Sequence, residues 1–267
     1  KCDIRAKAYV TVTDKPMPKV EYKKAKAYAV PFSLWDVSLS KSLFTENRDR
    51  HHQFLLSQDL DSLLYNFRDA AGLDTKNAKP MLGWDAPDCN LKGHTTGHFL
   101  SALAQAYAST GDEEFKKRID YMISELGKCQ DAMAASGKFK PGFLSGYSEE
   151  QFDKLEEFTP YPTIWAPYYT LHKIFAGLLD CYELAGNKQA LDIAVKLGYW
   201  VYNRLSRLSK EHRNKMWKMY IAGEYGGMND VMARLYGITG EEKFLTTAKY
   251  FDNDHLFIPM HENVDTL

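Results

Sequence analysis

Apolar positions recur at helical spacing along most of this chain, and they come in paired runs. In each pair the first run is nearly all apolar or small, as in a helix buried on most sides, and the second is amphipathic and charged. The pairs are predicted over 94–109 and 112–134, over 167–185 and 187–207, and over 224–237 and 241–252. The join repeats as well. Ala106-Tyr107-Ala108-Ser109-Thr110-Gly111-Asp112, Cys181-Tyr182-Glu183-Leu184-Ala185-Gly186-Asn187 and Leu235-Tyr236-Gly237-Ile238-Thr239-Gly240-Glu241 each carry a Tyr near a helix end, then a Gly, then an acid or amide. Glycine suits the left-handed position just past a helix, and Asp112 and Asn187 are placed to accept the free N–H groups of the next helix. Repeated helical hairpins of this kind build a solenoid or a closed α-toroid, here with the apolar helices inside and the charged ones outside.

The flanking segments read differently. Residues 1–44 alternate in places, as at Tyr9-Val10-Thr11-Val12-Thr13, and with Pro16, Pro18 and Pro31 they read as a short extended leading segment. Residues 45–71 are predicted as one amphipathic helix capped by Thr45, and 72–93 as a loop. Residues 135–166 are too long for a helix–helix turn, even with a short helix at 148–156. Connections of that length usually serve as lids or binding loops. Two regions result: the leading segment, 1–44, and a partial toroid, 45–267.

Composition narrows the partners. The net charge of −1 supplies no basic excess for phosphate contacts, which argues against nucleic acid and membrane surfaces. No apolar run approaches the ~18 residues of a membrane span. The cysteines, Cys2, Cys89, Cys129 and Cys181, form no CxxC pair, and Cys129 and Cys181 fall on helices where buried thiols are expected.

Successive hairpins reverse direction twice, so the inner helices run parallel and their N-termini gather at one mouth. The residues expected there are His94 and His98, then Trp165, Tyr168, Tyr169 and His172, then Glu224 and Tyr225. Aromatic faces beside polar groups suit a sugar, whose ring is apolar on its faces and hydroxylated at its edge. His94, His98, Ser101 and Gln105 share one stripe of an otherwise apolar helix, which calls for hydrogen-bond partners from the protein or from a ligand. A metal site there would need a third ligand such as Asp85, Asp88 or Cys89. Asp85 and Asp88 read equally as loop caps or as site acids, and Glu224 as a helix cap or a binder of sugar hydroxyls. Glycoside hydrolysis commonly uses two carboxyl groups about 5 Å apart or more. Asp85, Asp88, Glu224 and Asp230 are candidates, and their spacing selects no pair.

Three ordered motifs carry a resemblance. Gly93-His94-Thr95-Thr96-Gly97-His98-Phe99-Leu100-Ser101-Ala102, Trp165-Ala166-Pro167-Tyr168-Tyr169-Thr170-Leu171-His172-Lys173-Ile174 and Glu224-Tyr225-Gly226-Gly227-Met228-Asn229 resemble the β-L-arabinofuranosidases of glycoside hydrolase family 127 and its relative, family 146. Phe32-Ser33-Leu34-Trp35-Asp36-Val37-Ser38-Leu39 resembles the start of those proteins, and the similarity runs from about residue 31 onward. The resemblance implies an all-α fold, the N-terminal half of an (α/α) toroid built from helical hairpins. It implies removal of β-L-arabinofuranose from plant glycans or glycoproteins with retention, by a zinc-bound cysteine thiolate and a glutamate acid/base. It also implies a secreted or periplasmic location. The zinc ligands and both catalytic glutamates of the family match no residue of this chain, so no catalytic residue and no metal ligand is expected here. His172 matches a sugar-binding histidine, and Glu224 and Tyr225 match the substrate-facing start of the third inner helix.

Three hairpins leave a toroid open, with apolar inner-helix surface expected at its edge. The rest of the polypeptide or a partner chain is expected to cover it. Two rival readings stand beside this one. One is another toroid carbohydrate enzyme, such as an uronyl hydrolase or an epimerase. The other is a non-catalytic glycan-binding or scaffold toroid fragment.

Overall fold

The structure is a computed structural model that describes residue 23, residues 32–219 and residues 225–265. Among these residues the chain forms eleven α-helices and two short 3-10 turns, with no strand. No described helix is long and apolar enough to cross a membrane. The alternating stretch at 9–13 lies outside the described residues. Where the leading segment is described, it holds a 3-10 turn at Leu34–Asp36.

The region 45–71 is two helices rather than one, α1 (Leu43–Ser57) and α2 (Leu60–Ala70). The break follows from Asp59, whose carboxylate accepts the Asp61 N–H at 2.9 Å and so starts a new helix. Ser42, not Thr45, is the N-cap of α1. Thr45 sits one turn inside, where its hydroxyl accepts from the Ser42 N–H at 2.9 Å.

The three hairpins form as the pattern predicts. They are α3 (His94–Thr110) with α4 (Glu113–Ala135), α6 (Pro167–Ala185) with α7 (Lys188–Leu205), and α9 (Gly227–Thr239) with α10 (Glu242–Lys249). Gly111, Gly186 and Gly240 end the inner helices at φ of 67°, 67° and 76°. Asp112 then accepts from Glu114 N–H at 2.9 Å, and Asn187 from Ala190 N–H at 3.0 Å. Glu241 makes no such cap, and its carboxylate takes the Tyr199 hydroxyl instead. The connection 136–166 contains α5 (Glu150–Glu156), close to the expected 148–156.

Two further helices carry little apolar pattern and are not legible in advance. In α8 (Lys210–Trp217) only Met216 and Trp217 are buried, and α11 (Asp254–His261) buries nothing. Ser209 starts α8 by accepting the His212 N–H at 3.1 Å.

The inner helices are parallel, as expected from their alternation. Along α3 and α6, Gly97 lies against Lys173 and Gly177, and Leu100 lies against Gly177 and Cys181. Along α6 and α9, Gly227 lies against His172, and Arg234 reaches Asp180 at 2.7 Å and also Glu183. The α3–α6 pair is the most extensive helix contact in the fold. Its spacing depends on two glycines. A methyl group on Gly97 would run into the Lys173 carbonyl, and one on Gly177 would lie 2.5 Å from Gly97 O. On the outer side, buried Arg68 of α2 clamps α4 by bonding Glu125 at 2.6 Å, and it also holds Asp61 at 2.8 Å.

The core is one continuous cluster running between the hairpins, including Phe67, Leu103, Leu126, Phe175 and Leu235. Among the described residues, large exposed apolar side chains concentrate on α1 and its approach (Phe32, Phe44, Phe54) and on α11 (Phe257, Ile258, Met260). Along α9 the exposed positions are Asp230 and Ala233.

Replacing Gly97 by Ala is expected to destabilise the fold by about 1–3 kcal/mol or more, since the overlap is with backbone that cannot rotate away. Gly177→Ala should act in the same direction. Gly226, exposed with open space at its Cβ position, is the control. Urea unfolding midpoints of the three variants test the ranking.

Candidate functional site

The parallel packing places the starts of α3 and α6 side by side, and a ring cluster forms there. His94 lies 6.2 Å from His98 and 6.4 Å from Tyr169 between ring centroids, and Tyr169 lies 5.8 Å from His172. The loop before α3 adds Trp84, 6.1 Å from His94 and 6.4 Å from Trp165. Trp165 in turn meets Tyr161 at 5.9 Å. Trp84 is 63% exposed and Tyr161 47%, so the cluster opens to solvent through an aromatic rim. Five of the sequence-predicted residues are therefore brought together: His94, His98, Trp165, Tyr169 and His172.

Tyr168 and Tyr225 do not join this ring cluster and pack instead into the core. Each is 2% exposed. Tyr168 packs on Phe152, Trp217 and Phe251 at 5.0, 5.6 and 5.1 Å, and Tyr225 stacks on Trp217 at 4.2 Å. Large aromatic rings gain most where they leave water completely, and α8 supplies in Trp217 the surface that buries both. Burial pushes the Tyr225 hydroxyl up to about 12 and raises that of Tyr168 as well. Glu224 lies outside the described residues.

Asp85 and Asp88 also part ways. Asp88 is exposed on its loop. Asp85 is 4% exposed and accepts the Gly93 N–H at 2.7 Å and the Thr95 hydroxyl. It is a cap for α3 delivered from the preceding loop. With both its oxygens engaged, it does not stand free as a site acid.

The electrostatics keep two of the imidazoles, His98 and His172, neutral. Burial, reinforced by the neighbouring Lys173 cation, lowers His172 to about 4. The same two causes, with His94 adding to them, lower His98. Lys173 is itself lowered by burial, and its ammonium sits 4.7 Å from the Tyr169 ring centroid. The His172 ring is wedged against the start of α9, where a methyl on Gly227 would overlap it. Two members of this cluster were not singled out from sequence. Lys173 is a charge within a nearly all-apolar helix, and Trp84 is an aromatic residue in a Gly- and Pro-rich loop. Those were their signals.

The zinc that the resemblance implies does not fit the described residues. Among the described residues no three His, Cys, Asp or Glu side chains converge as a metal would require. Burial pushes the Cys129 thiol up to about 12 and the Cys181 thiol well above its ordinary value, the reverse of what a metal-ligating thiolate needs. The site can bind and orient a polyhydroxylated ring through neutral imidazoles, an ammonium and aromatic faces.

Comparison with known proteins gives the family and a likeness of fold. The sequence profile of the β-L-arabinofuranosidase GH127 catalytic domain matches residues 36–267. Among solved structures, the chain is similar to a GH127 β-L-arabinofuranosidase from Geobacillus stearothermophilus T6, with a TM-score of 0.50 and 18% identity, over 80% of this chain and 32% of that one. It is also similar to a second GH127 β-arabinofuranosidase, with a TM-score of 0.52 and 16% identity, over 83% of this chain and 33% of that one. At these identities the likeness is one of fold, and the chain spans about a third of the length of either structure. No curated protein matches.

The depressed His172 sets a pH dependence. Its folded value of about 4 lies below the ordinary 6.5, so between these limits the unfolded chain binds the extra proton. Stability from this residue is therefore present above about pH 6.5 and is lost as the pH falls toward 4. The difference in urea midpoint between the natural chain and His172→Gln, followed across that window, is expected to move against the natural chain on acidification.

Proposed function

Because the chain belongs to the family of GH127 β-L-arabinofuranosidase catalytic domains, we propose that it forms the sugar-holding wall of a glycoside hydrolase acting on β-L-arabinofuranose in plant glycans or glycoproteins, with retention. The observation that carries this reading is the cluster of His94, His98, Tyr169 and His172 at the common start of α3 and α6, beside Trp165. Tyr169 and Trp165 offer faces for the apolar side of a furanose. His94, His98 and His172 exchange hydrogen bonds with its hydroxyls through their ring nitrogens. Lys173 adds a further donor beside them. All of these groups hold and orient the sugar, and none of them is assigned the nucleophile or the acid.

In this reading residues 45–267 are part of a toroid catalytic domain, and the groups that break the glycosidic bond lie on parts of the family fold that this chain does not span. The completed substrate pocket then needs those parts, supplied by the same polypeptide or by a partner. A secreted or periplasmic setting follows from a substrate on plant glycans.

Isothermal titration of the chain with L-arabinose and with arabinan fragments tests the reading. Heat of binding is expected, weakened at least about tenfold by His172→Ala, a loss on the scale of one or two hydrogen bonds. No arabinose should be released from arabinan by the chain alone. Absence of binding heat, or release of arabinose by this chain without any addition, would overturn it.

A further inference from the structure

Asp85 does more at the mouth than a cap requires. The helix α3 begins at Gly93, which has no side chain with which to cap its own N–H groups, and Asp85 fills that role through Oδ1, 2.7 Å from the Gly93 nitrogen. A carboxylate is favoured at this positive helix end. Its loop is pinned from behind, where the Asn66 side-chain amide donates to the Asp85 carbonyl at 2.7 Å. The second oxygen, Oδ2, accepts the Thr95 hydroxyl and lies 3.1 Å from His94 Nδ1. That same nitrogen is 3.0 Å from the Leu91 carbonyl oxygen.

Both neighbours of His94 Nδ1 are acceptors. A bare lone pair on Nδ1 would face an anionic oxygen and a carbonyl oxygen at contact distance, and only an N–H there is attractive. A neutral imidazole carries one proton, so placing it on Nδ1 leaves Nε2 as an acceptor. Nε2 makes no hydrogen bond to any described residue. The ring is held on its sides by Trp84, His98 and Tyr169.

We propose that Asp85 is a positioning residue, which keeps His94 in the Nδ1–H tautomer so that Nε2 accepts a hydrogen bond from a sugar hydroxyl. The ligand half of this statement rests on the sugar-binding reading above, and the tautomer half does not. An asparagine separates the two roles of Asp85. It still offers one oxygen to the Gly93 N–H, and it turns an N–H₂ donor toward His94.

Long-range ¹⁵N–¹H correlation spectra of the imidazole rings at neutral pH read the tautomer directly, with His94→Gln assigning the signals. The natural chain is expected to show His94 protonated at Nδ1, and Asp85→Asn is expected to make the Nε2–H form the major one. L-arabinose titrated into the same samples should bind about tenfold more weakly to Asp85→Asn. A natural chain already in the Nε2–H form overturns the proposal without any variant, and so does an Asp85→Asn protein that keeps the Nδ1–H form. If the tautomers behave as expected and L-arabinose binds neither protein, the sugar-binding reading fails and the role of Asp85 in setting the tautomer stands.

Discussion

The contact between α3 and α6 at Gly97 and Gly177 is the constraint on which the rest of the structure depends. Without side chains at these positions the two helices approach backbone to backbone, and they do so in parallel. That brings the first turn of α3 level with the first turn of α6, which is how residues some seventy positions apart in sequence come to share one ring cluster. The same device recurs where α9 joins, since Gly227 admits the His172 ring at the helix start. A larger residue at Gly97 or Gly177 would push the two helices apart, and one at Gly227 would displace the His172 ring, because packed interiors have no room to absorb a methyl group.

Close packing also sets the chemistry. Imidazoles held between helices lose water, and the nearby Lys173 makes a second positive charge still less welcome, so His98 and His172 stay neutral. Among the described residues, the carboxylate that approaches the cluster is Asp85, and both its oxygens are engaged. The mouth is therefore equipped for directional hydrogen bonds and ring stacking, without a free carboxylate pair among the described residues. In the reading proposed above, such a surface grips a neutral polyol.

Much of the fold was legible in the chain. The repeated joins of Tyr, Gly and an acid or amide marked all three hairpin turns, because a helix end needs a left-handed residue, and in two of the three the next side chain also accepts an N–H of the following helix. Boundaries that rest on one polar side chain were harder. Asp59 splits a continuous apolar stripe into two helices, and nothing in the periodicity of Leu55, Leu60 and Leu63 reports that break. The short helix α8 escaped because it is held by its cap and two buried residues rather than by an apolar face.

The sequence by itself determined the three helical hairpins, which helix of each pair lies inside, and that the inner helices start at a common end. Hydrophobic periodicity and capping chemistry are local, so they can be read one segment at a time. Tertiary structure alone decided which of the residues at that end face the mouth. Tyr168 and Tyr169 are neighbours in the chain, yet one is sealed against Trp217 and Phe251 while the other stands beside His94. The same holds for Asp85 and Asp88, one a buried cap and the other exposed. Which face a side chain takes depends on which partner surface can bury it, and that surface comes from distant parts of the chain.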